Sequence, residues 1–469
     1  MSPRGEDMSE KATLEKHFEE IRARDFTRLD RGGHTYLDYT GSGLYAESQL
    51  RSHMQFLQDH VLGNPHSENP ASAAATRLVE STRERVLEFF NADPDVYQVV
   101  FTANASAALK LVGEAYPFGA ASRFVLLRDN HNSVNGIRSY VRAHGAEVSY
   151  IDLSKDLRIA PEEQIPPAGE GPSLFAYPAQ SNFSGVQHPL ELVDEAHALG
   201  YDVVLDAAAF VPTNPVDVSA VAPDYMCVSF YKMFGFPTGV GALIARTDAL
   251  HKLRRPWFAG GTVEYVSVQS EVHRLRNDAG AFEDGTPNFL AIAGIPSGLE
   301  FLESVGMDAL HEHVLGLTGR LLEVLTELHH GNGRAVVDVY GPLSTEARGG
   351  TVAFNIVDPE GRVVPFSVVE REASEENISL RGGCFCNPGA AEVAFGLPAS
   401  ETLDCFQAQP WGAFNLKDLS SCLDQNLPVG AMRASLGIAT NEADLDRLAA
   451  FLRRYVDRPV DALEAAAAG

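Results

Sequence analysis

Nowhere does the sequence hold a run of ~18 apolar residues, so it encodes no helix able to span a bilayer. Residues 1–11 are polar, mixed in charge and without an apolar h-region, which excludes a secretory signal and reads as the frayed start of a cytoplasmic protein. Cysteine is scarce: Cys227, Cys384, Cys386, Cys405 and Cys422 are the only ones in 469 residues. An odd number in so long a chain argues against a disulfide framework and for a reducing compartment. Metal-ligand spacing is missing too. The C-x-C pair at Cys384 and Cys386 finds no C-x-x-C or H-x-x-x-H to complete a zinc site, so no metal is expected. Positive charge is in short supply, with 37 Lys and Arg against 63 Asp and Glu and a net charge of −26. Such a surface repels phosphate backbones and anionic lipid, which excludes nucleic acid and membrane as partners. It does not repel a small zwitterion such as an amino acid. No internal repeat is present.

What is there is ordinary globular material, long enough for two or three domains. Apolar, β-branched runs at residues 99–101, 124–127, 148–151, 174–177, 203–205, 225–228 and 242–245 read as strands. Helical patterns at 106–114, 134–143 and 190–198 separate several of them. Strands that are apolar throughout, joined by helical crossovers, predict a mainly parallel seven-stranded sheet covered on both faces. Only the short loop 230–241, with no room for a helix, precedes the last run, which predicts an antiparallel edge strand. Beyond about residue 298 the texture changes. A long amphipathic helix reads from 299 to 328, short strands near 335–339 and 351–356, and a terminal helix over 442–455. Residues 395–429 read as an irregular insertion and 465–469 as a disordered tail. The chain thus divides into a large α/β domain, residues 28–297, and a smaller α+β domain. The smaller one combines residues 298–469 with 1–27, including the N-terminal helix at 14–24.

The chemistry-bearing residues sit at the ends of these strands. Lys232 lies in Ser229-Phe230-Tyr231-Lys232-Met233-Phe234-Gly235, among aromatic and apolar neighbours. Burial lowers a lysine's pKa, and a neutral amine is what a Schiff base requires; an isolated lysine would instead snorkel to solvent. Asp206 ends the run Val203-Val204-Leu205-Asp206, where a side chain points into the crevice that binds ligands in open α/β sheets. A carboxylate there suits the ring nitrogen of pyridoxal 5′-phosphate (PLP), although alone it would equally be a helix cap. His131, after the second strand, is placed to stack on such a ring and move protons. Thr102-Ala103-Asn104-Ala105-Ser106 opens a helix whose N-terminal N–H groups suit a phosphate, and Ser229 can add a contact. In the second half, Arg381-Gly382-Gly383-Cys384-Phe385-Cys386-Asn387-Pro388-Gly389 describes an exposed, mobile thiol loop, with Arg381 near enough to favour a thiolate. Arg433, in an apolar setting, suits an amino acid's α-carboxylate.

Together these residues resemble the class V, fold-type I PLP enzymes and within them the cysteine desulfurases. The similarity is closest to the N-terminal desulfurase domain of molybdenum cofactor sulfurases. It spans roughly residues 30–455. It rests on Gly63-Asn64-Pro65-His66-Ser67, Leu205-Asp206-Ala207-Ala208-Ala209, the stretch from Ser229 to Gly241, Asp284-Gly285-Thr286-Pro287-Asn288 and Gly383-Cys384-Phe385-Cys386-Asn387-Pro388-Gly389. The resemblance implies PLP as cofactor, carried by Lys232, with Asp206 at the pyridine nitrogen, His131 stacked on the ring and Asn182 at the phenolic oxygen. It implies Ala105, Ser106 and Ser229 around the phosphate, Tyr231 in the cofactor pocket and Thr286 reaching it from the second subunit of a homodimer. It further implies Arg433 and His66 at the substrate, and Cys386 as the persulfide carrier ahead of Cys384. The sequence departs from the pattern at Ala209, where many desulfurases have glutamine, and at Ala105 and Ser106, which replace threonines. It also carries no counterpart of the further domain of the sulfurases, which leaves the sulfur acceptor, protein or small molecule, open. The expected reaction converts L-cysteine to alanine and leaves a persulfide on Cys386. The alternatives are another class V activity (C–S lyase, epimerase or selenocysteine lyase) or a sulfur donor active only with a partner protein.

Overall fold

The computed structural model describes residues 3–408, 419, 422–423 and 427–462, with side chains from residue 11 onward. The expected disordered tail at 465–469 and much of the insertion lie outside these residues. A helix runs over Pro3–Asp25, so the order begins well inside the stretch read as frayed. A two-residue strand β1 (Thr35–Tyr36) precedes the main sheet.

The main sheet contains β2 (Tyr97–Thr102), β3 (Arg123–Leu127), β4 (Glu147–Ile151), β5 (Leu174–Pro178), β6 (Asp202–Asp206), β7 (Tyr225–Ser229) and β8 (Gly241–Arg246), in the order β2-β8-β7-β6-β5-β3-β4. All seven predicted strands are present. Their side chains alternate between two cores, as a pleat requires. Val99, Phe101, Val203, Leu205, Met226 and Val228 enter one core, while Val100, Val204, Tyr225 and Cys227 enter the other. That two-sided burial is why the inner strands read as continuous apolar runs, while β4, at the other edge, is buried only at Ile151.

β8 is antiparallel, as the short connection demands, but it is not an edge. It lies between β7 and β2 and pairs with both. The edge on that side is β2, and a buried carboxyl group covers it: Glu283 accepts from the Phe101 N–H at 3.0 Å and from Arg83 Nη2 at 2.6 Å. The loop before β8 does hold a helical turn, Phe230–Phe234, which carries Lys232. The long C-terminal helix is likewise two helices, Ile295–Val305 and Met307–Thr326, broken at Gly306 with φ 86°.

An exposed hairpin, β9 (Val263–Ser267) with β10 (Val272–Leu275), follows the main sheet. The second sheet is antiparallel, in the order β11-β12-β15-β14, with β11 (Val337–Tyr340), β12 (Thr351–Ile356), β14 (Arg381–Gly383) and β15 (Ala431–Ser435). β13 (Ile378–Ser379) pairs in parallel with β1. The chain just after β1 continues this contact, for Ser435 N donates to Leu37 O at 2.8 Å and Asp38 bridges to Ser435. The N-terminal segment is therefore anchored on the C-terminal sheet, and Phe18 of the first helix stacks on His313 at 3.8 Å.

The cysteines also depart from expectation. Cys405 and Cys422 form a disulfide within the insertion, leaving Cys227, Cys384 and Cys386 free. An odd count rules out complete pairing but not a single local bond. No single helix among the described residues is long and apolar enough to cross a membrane.

Candidate active site

A cavity opens at the carboxyl ends of the parallel strands, bounded by Ser106, His131, Asn182, Asp206, Ser229 and Lys232 among others. Ala105 and Tyr231 line it as well. Eight of the expected cofactor residues thus converge in one place. Each arrives because a strand ends there: β2 leads into the helix Ala105–Ala115, β3 to His131, β5 to Asn182, β6 to Asp206 and β7 to Ser229 and the Lys232 turn.

The ends of the cavity differ in chemistry. At one end the helix N-terminus of Ala105–Ala115 meets the hydroxyls of Ser106, Ser133 and Ser229. Ser229 Oγ accepts from the Ala105 N–H at 2.8 Å, and Ser106 and Ser133 share a hydrogen bond of 2.6 Å. N–H groups, a helix dipole and three hydroxyls form an anion cradle. At the other end stands Asp206, whose Oδ1 is braced by the Ala208 N–H at 3.1 Å. His131 Nδ1 lies 3.0 Å from Ser133 Oγ and accepts from the Ser133 N–H at 3.1 Å, which fixes the ring and leaves Nε2 for other partners. A phosphate cradle, a flanking imidazole and an anionic brace around one lysine fit PLP by donor set.

Charge follows the same plan. Burial pushes the Lys232 amine below the ordinary lysine range, with Asp206 opposing and Arg433 and Arg381 reinforcing the fall. Lys232 also borders a second small cavity with Thr40, Thr213 and Thr351. Burial likewise pushes His131 below the ordinary imidazole range, against the pull of Asp206. The buried Cys227 thiol is pushed well up by burial and is inert.

Arg433 stands behind the cavity wall. Its Nη1 donates to Asn182 O at 2.9 Å, its Nη2 to Asp38 Oδ1 at 3.0 Å, and its plane lies over Phe385 at 4.8 Å. Its Nε is buried without a partner among the described residues. Arg381 shares the same carboxylate through Nε at 3.0 Å and Nη2 at 2.5 Å. Arg381 is thus committed to Asp38 and not to a thiolate. Two guanidiniums and one carboxylate leave one positive charge beside the site.

Hydrogen bonds tie the thiol loop to its neighbours. Asn132 N donates to Cys386 O at 2.7 Å, which binds it to the loop carrying His131. Asn182 Nδ2 donates to Phe385 O at 2.6 Å. Asn387 caps the helix Pro388–Phe395. Cys386 is exposed and Cys384 half-buried.

Cys386 does not line the Lys232 cavity, and two further expected residues lie farther off. His66 is in a separate cavity with Arg276, Asp278 and Glu283, and Thr286 lines another with Thr102 and Glu283. Both sit around the edge of β2 that Glu283 covers, two strand spacings (about 10 Å) from β7, so within one chain they do not join Lys232. Conversely, Asp38, Asp129 and Ser133 were not singled out from sequence. Asp129 had a readable signal, an acid two residues after an apolar strand. Asn387 had another in the Asn-Pro pair of a helix start.

Comparison with known proteins agrees with this geometry. A family model, Aminotransferase class-V, matches residues 35–448. Molybdenum cofactor sulfurase from Homo sapiens is 38% identical over 462 residues, covering 93% of this chain and 51% of that protein. The chain spans about half the length of that relative. An apo cysteine desulfurase from Thermococcus onnurineus NA1 superposes with a TM-score of 0.75 at 23% identity, covering 93% of this chain and 98% of the other. The cystine C–S lyase C-DES, in a variant with glycine covalently linked to its PLP cofactor, superposes at 0.69 with 19% identity, covering 92% and 99%. The chain belongs to the aminotransferase class-V family, with a desulfurase-like fold of type I whose cofactor is PLP.

Proposed function

We propose that this chain is a cysteine desulfurase, taking sulfur from L-cysteine onto Cys386 for transfer to an acceptor. The observation that carries the reading is the tie between Asn132 and Cys386, which places the one exposed free thiol beside the loop of His131 and the Lys232 cavity. The bound PLP supplies an electron sink for charge that develops at the substrate's α-carbon. The rest falls to side chains. The unbalanced positive charge of Arg433 and Arg381 attracts the α-carboxylate. Lys232, its proton loosened by burial, and His131, held neutral by burial, carry protons to and from the substrate. Asp206 keeps an anion at the deep end of the cavity.

Sulfur leaves by displacement at the Cys386 thiolate. A bond forms between the Cys386 sulfur and the substrate sulfur, and the substrate's carbon–sulfur bond breaks. The electron pair of the broken bond stays with the carbon fragment, which takes protons and departs as alanine. Cysteine and a thiol become alanine and a persulfide, with no outside oxidant or reductant.

The test is to incubate the holoenzyme with L-cysteine, quantify alanine, and read the mass of the Cys386 peptide. A 32-dalton gain there (one sulfur atom, roughly) with equimolar alanine supports the reading. Full alanine production by Cys386→Ala under reductant would sink the thiol's role, and pyruvate in place of alanine would point to a C–S lyase. We also infer that two copies pair, which would give His66 and Thr286 a site to serve. The hairpin β9–β10, open on both faces with Tyr265 62% and Val268 89% exposed, supports this. Sedimentation showing a monomer with bound PLP would count against it.

A further inference from the structure

The carboxylate of Asp129 is fully buried and meets three donors. Ser181 Oγ and Asn387 Nδ2 reach its Oδ1 at 2.8 and 2.6 Å, and His188 Nε2 stands 3.0 Å from its Oδ2. None of the four residues lines the Lys232 cavity. Two of the segments they join border it, through His131 and Asn182, and the thiol loop is tied to the first of these by the Asn132–Cys386 bond. Asp129 comes two residues before His131, and Asn387 directly follows Cys386. Asn387 Nδ2 also donates to Asn182 Oδ1 at 3.0 Å, and Asn182 lies on the cavity wall.

Stripping water from a carboxylate is costly, and a buried acid without substrate contact needs donors fixed around it. Here the donors come from segments far apart in sequence, so the acid fixes their relative placement. The thiol loop needs such a hold, because Phe385 and Cys386 adopt φ of 55° and 56°. Side chains persist in that left-handed region in succession only where the surroundings determine it. A hydrogen bond to a charged acceptor is the strong kind, and Asn387 makes it next to the reacting thiol.

We propose that Asp129, acting through Asn387, is the positioning residue that sets where the Cys386 thiol stands relative to His131 and Lys232. The inference rests on the reading of Cys386 as the persulfide carrier. It assigns the buried acid to aiming the thiol, with no part in proton transfer.

Two variants of the full chain test it. Asn387→Asp keeps an oxygen to cap the helix Pro388–Phe395 but sets a second carboxylate against Asp129. Asp129→Asn keeps the shape and removes the charge. Hydrogen exchange in the cofactor-free protein reads the loop without any chemistry. Peptides covering residues 384–391 are expected to exchange about tenfold faster in both variants, with the helix Ala105–Ala115 unchanged. In the holoenzyme, single-turnover persulfide formation is expected to slow by about tenfold or more, with KM for cysteine within about threefold and the spectral response to cysteine retained. Unchanged exchange at the loop overturns the proposal. So does faster exchange across the whole chain, which would make Asp129 a general determinant of folding, and so does an equal change in KM and persulfide rate. A wild-type enzyme that makes no persulfide defeats the desulfurase reading, while the exchange measurement still decides the clamp.

Discussion

Asn132 and Cys386 share a hydrogen bond of 2.7 Å from the N–H of the first to the carbonyl of the second. One loop follows β3 of the main sheet and the other follows β14 of the smaller sheet. The bond joins the two loops next to the residues that present an imidazole and a thiol. The predictions below concern the residues gathered around this junction.

Replacing Lys232 by alanine removes the one amine in the cavity. Purified Lys232→Ala is expected to lack the visible band of the wild type after gel filtration, and alanine formation is expected to fall by about a thousandfold or more. Absorbance before and after adding PLP, with an alanine assay, checks both.

Asp206→Asn keeps the shape and loses the charge. Bound PLP is retained, and alanine formation is expected to fall about a hundredfold, because electron withdrawal at the ring depends on the anion. Isothermal titration with PLP separates lost binding from lost turnover.

His131 gives the pH profile its acid limb. Burial favours the neutral imidazole, so the group binds protons less readily than in an unfolded chain. Activity is therefore expected to hold as pH falls through the ordinary imidazole range and to drop only below it. A rate profile in which kcat halves at or above pH ~6.5 would contradict the assignment.

Asp38 neutralises a buried guanidinium. Asp38→Asn leaves Arg433, 2% exposed, without its carboxylate and is expected to cost about 3 kcal/mol of stability. Urea unfolding of the two proteins measures it, and a loss under about 0.5 kcal/mol would show that Arg433 finds another counter-charge.

His313 governs acid stability in the smaller sheet's helix layer. Burial pushes it down to about 4, with its Nε2 3.0 Å from Thr440 O. A depressed histidine binds fewer protons folded than unfolded, so stability is complete above pH ~6.5 and is lost as pH falls towards 4. The loss amounts to roughly 3 kcal/mol. Thermal melts of His313→Gln across that range are expected to show a correspondingly weaker pH dependence.

Much of this was legible in sequence because two-sided burial writes itself as unbroken apolar runs. The seven strands and the residues at their carboxyl ends, Lys232 and Asp206 above all, follow from that. The direction of β8 was also readable, since a short connection forces a reversal. Its neighbour was not, because loop length says nothing about which strand lies beyond. Gly306 hid inside a helical periodicity that continues on both sides of it, and only its φ reveals the break. The Asp129–Asn387 contact left no trace because it joins residues 258 apart, a separation that carries no periodic signal.

The position of β8 has a consequence for biosynthesis. β2 is made early, yet among the described residues its only neighbour in the sheet is β8. A ribosome adding about 5–20 residues per second leaves β2 waiting on the order of ten seconds for Gly241 and its successors to emerge. The phosphate cradle matures on the same schedule, since Ala105 is braced by Ser229 only after β7 exists. A nascent chain stalled short of Arg246 would thus present a bare strand edge and no finished cavity.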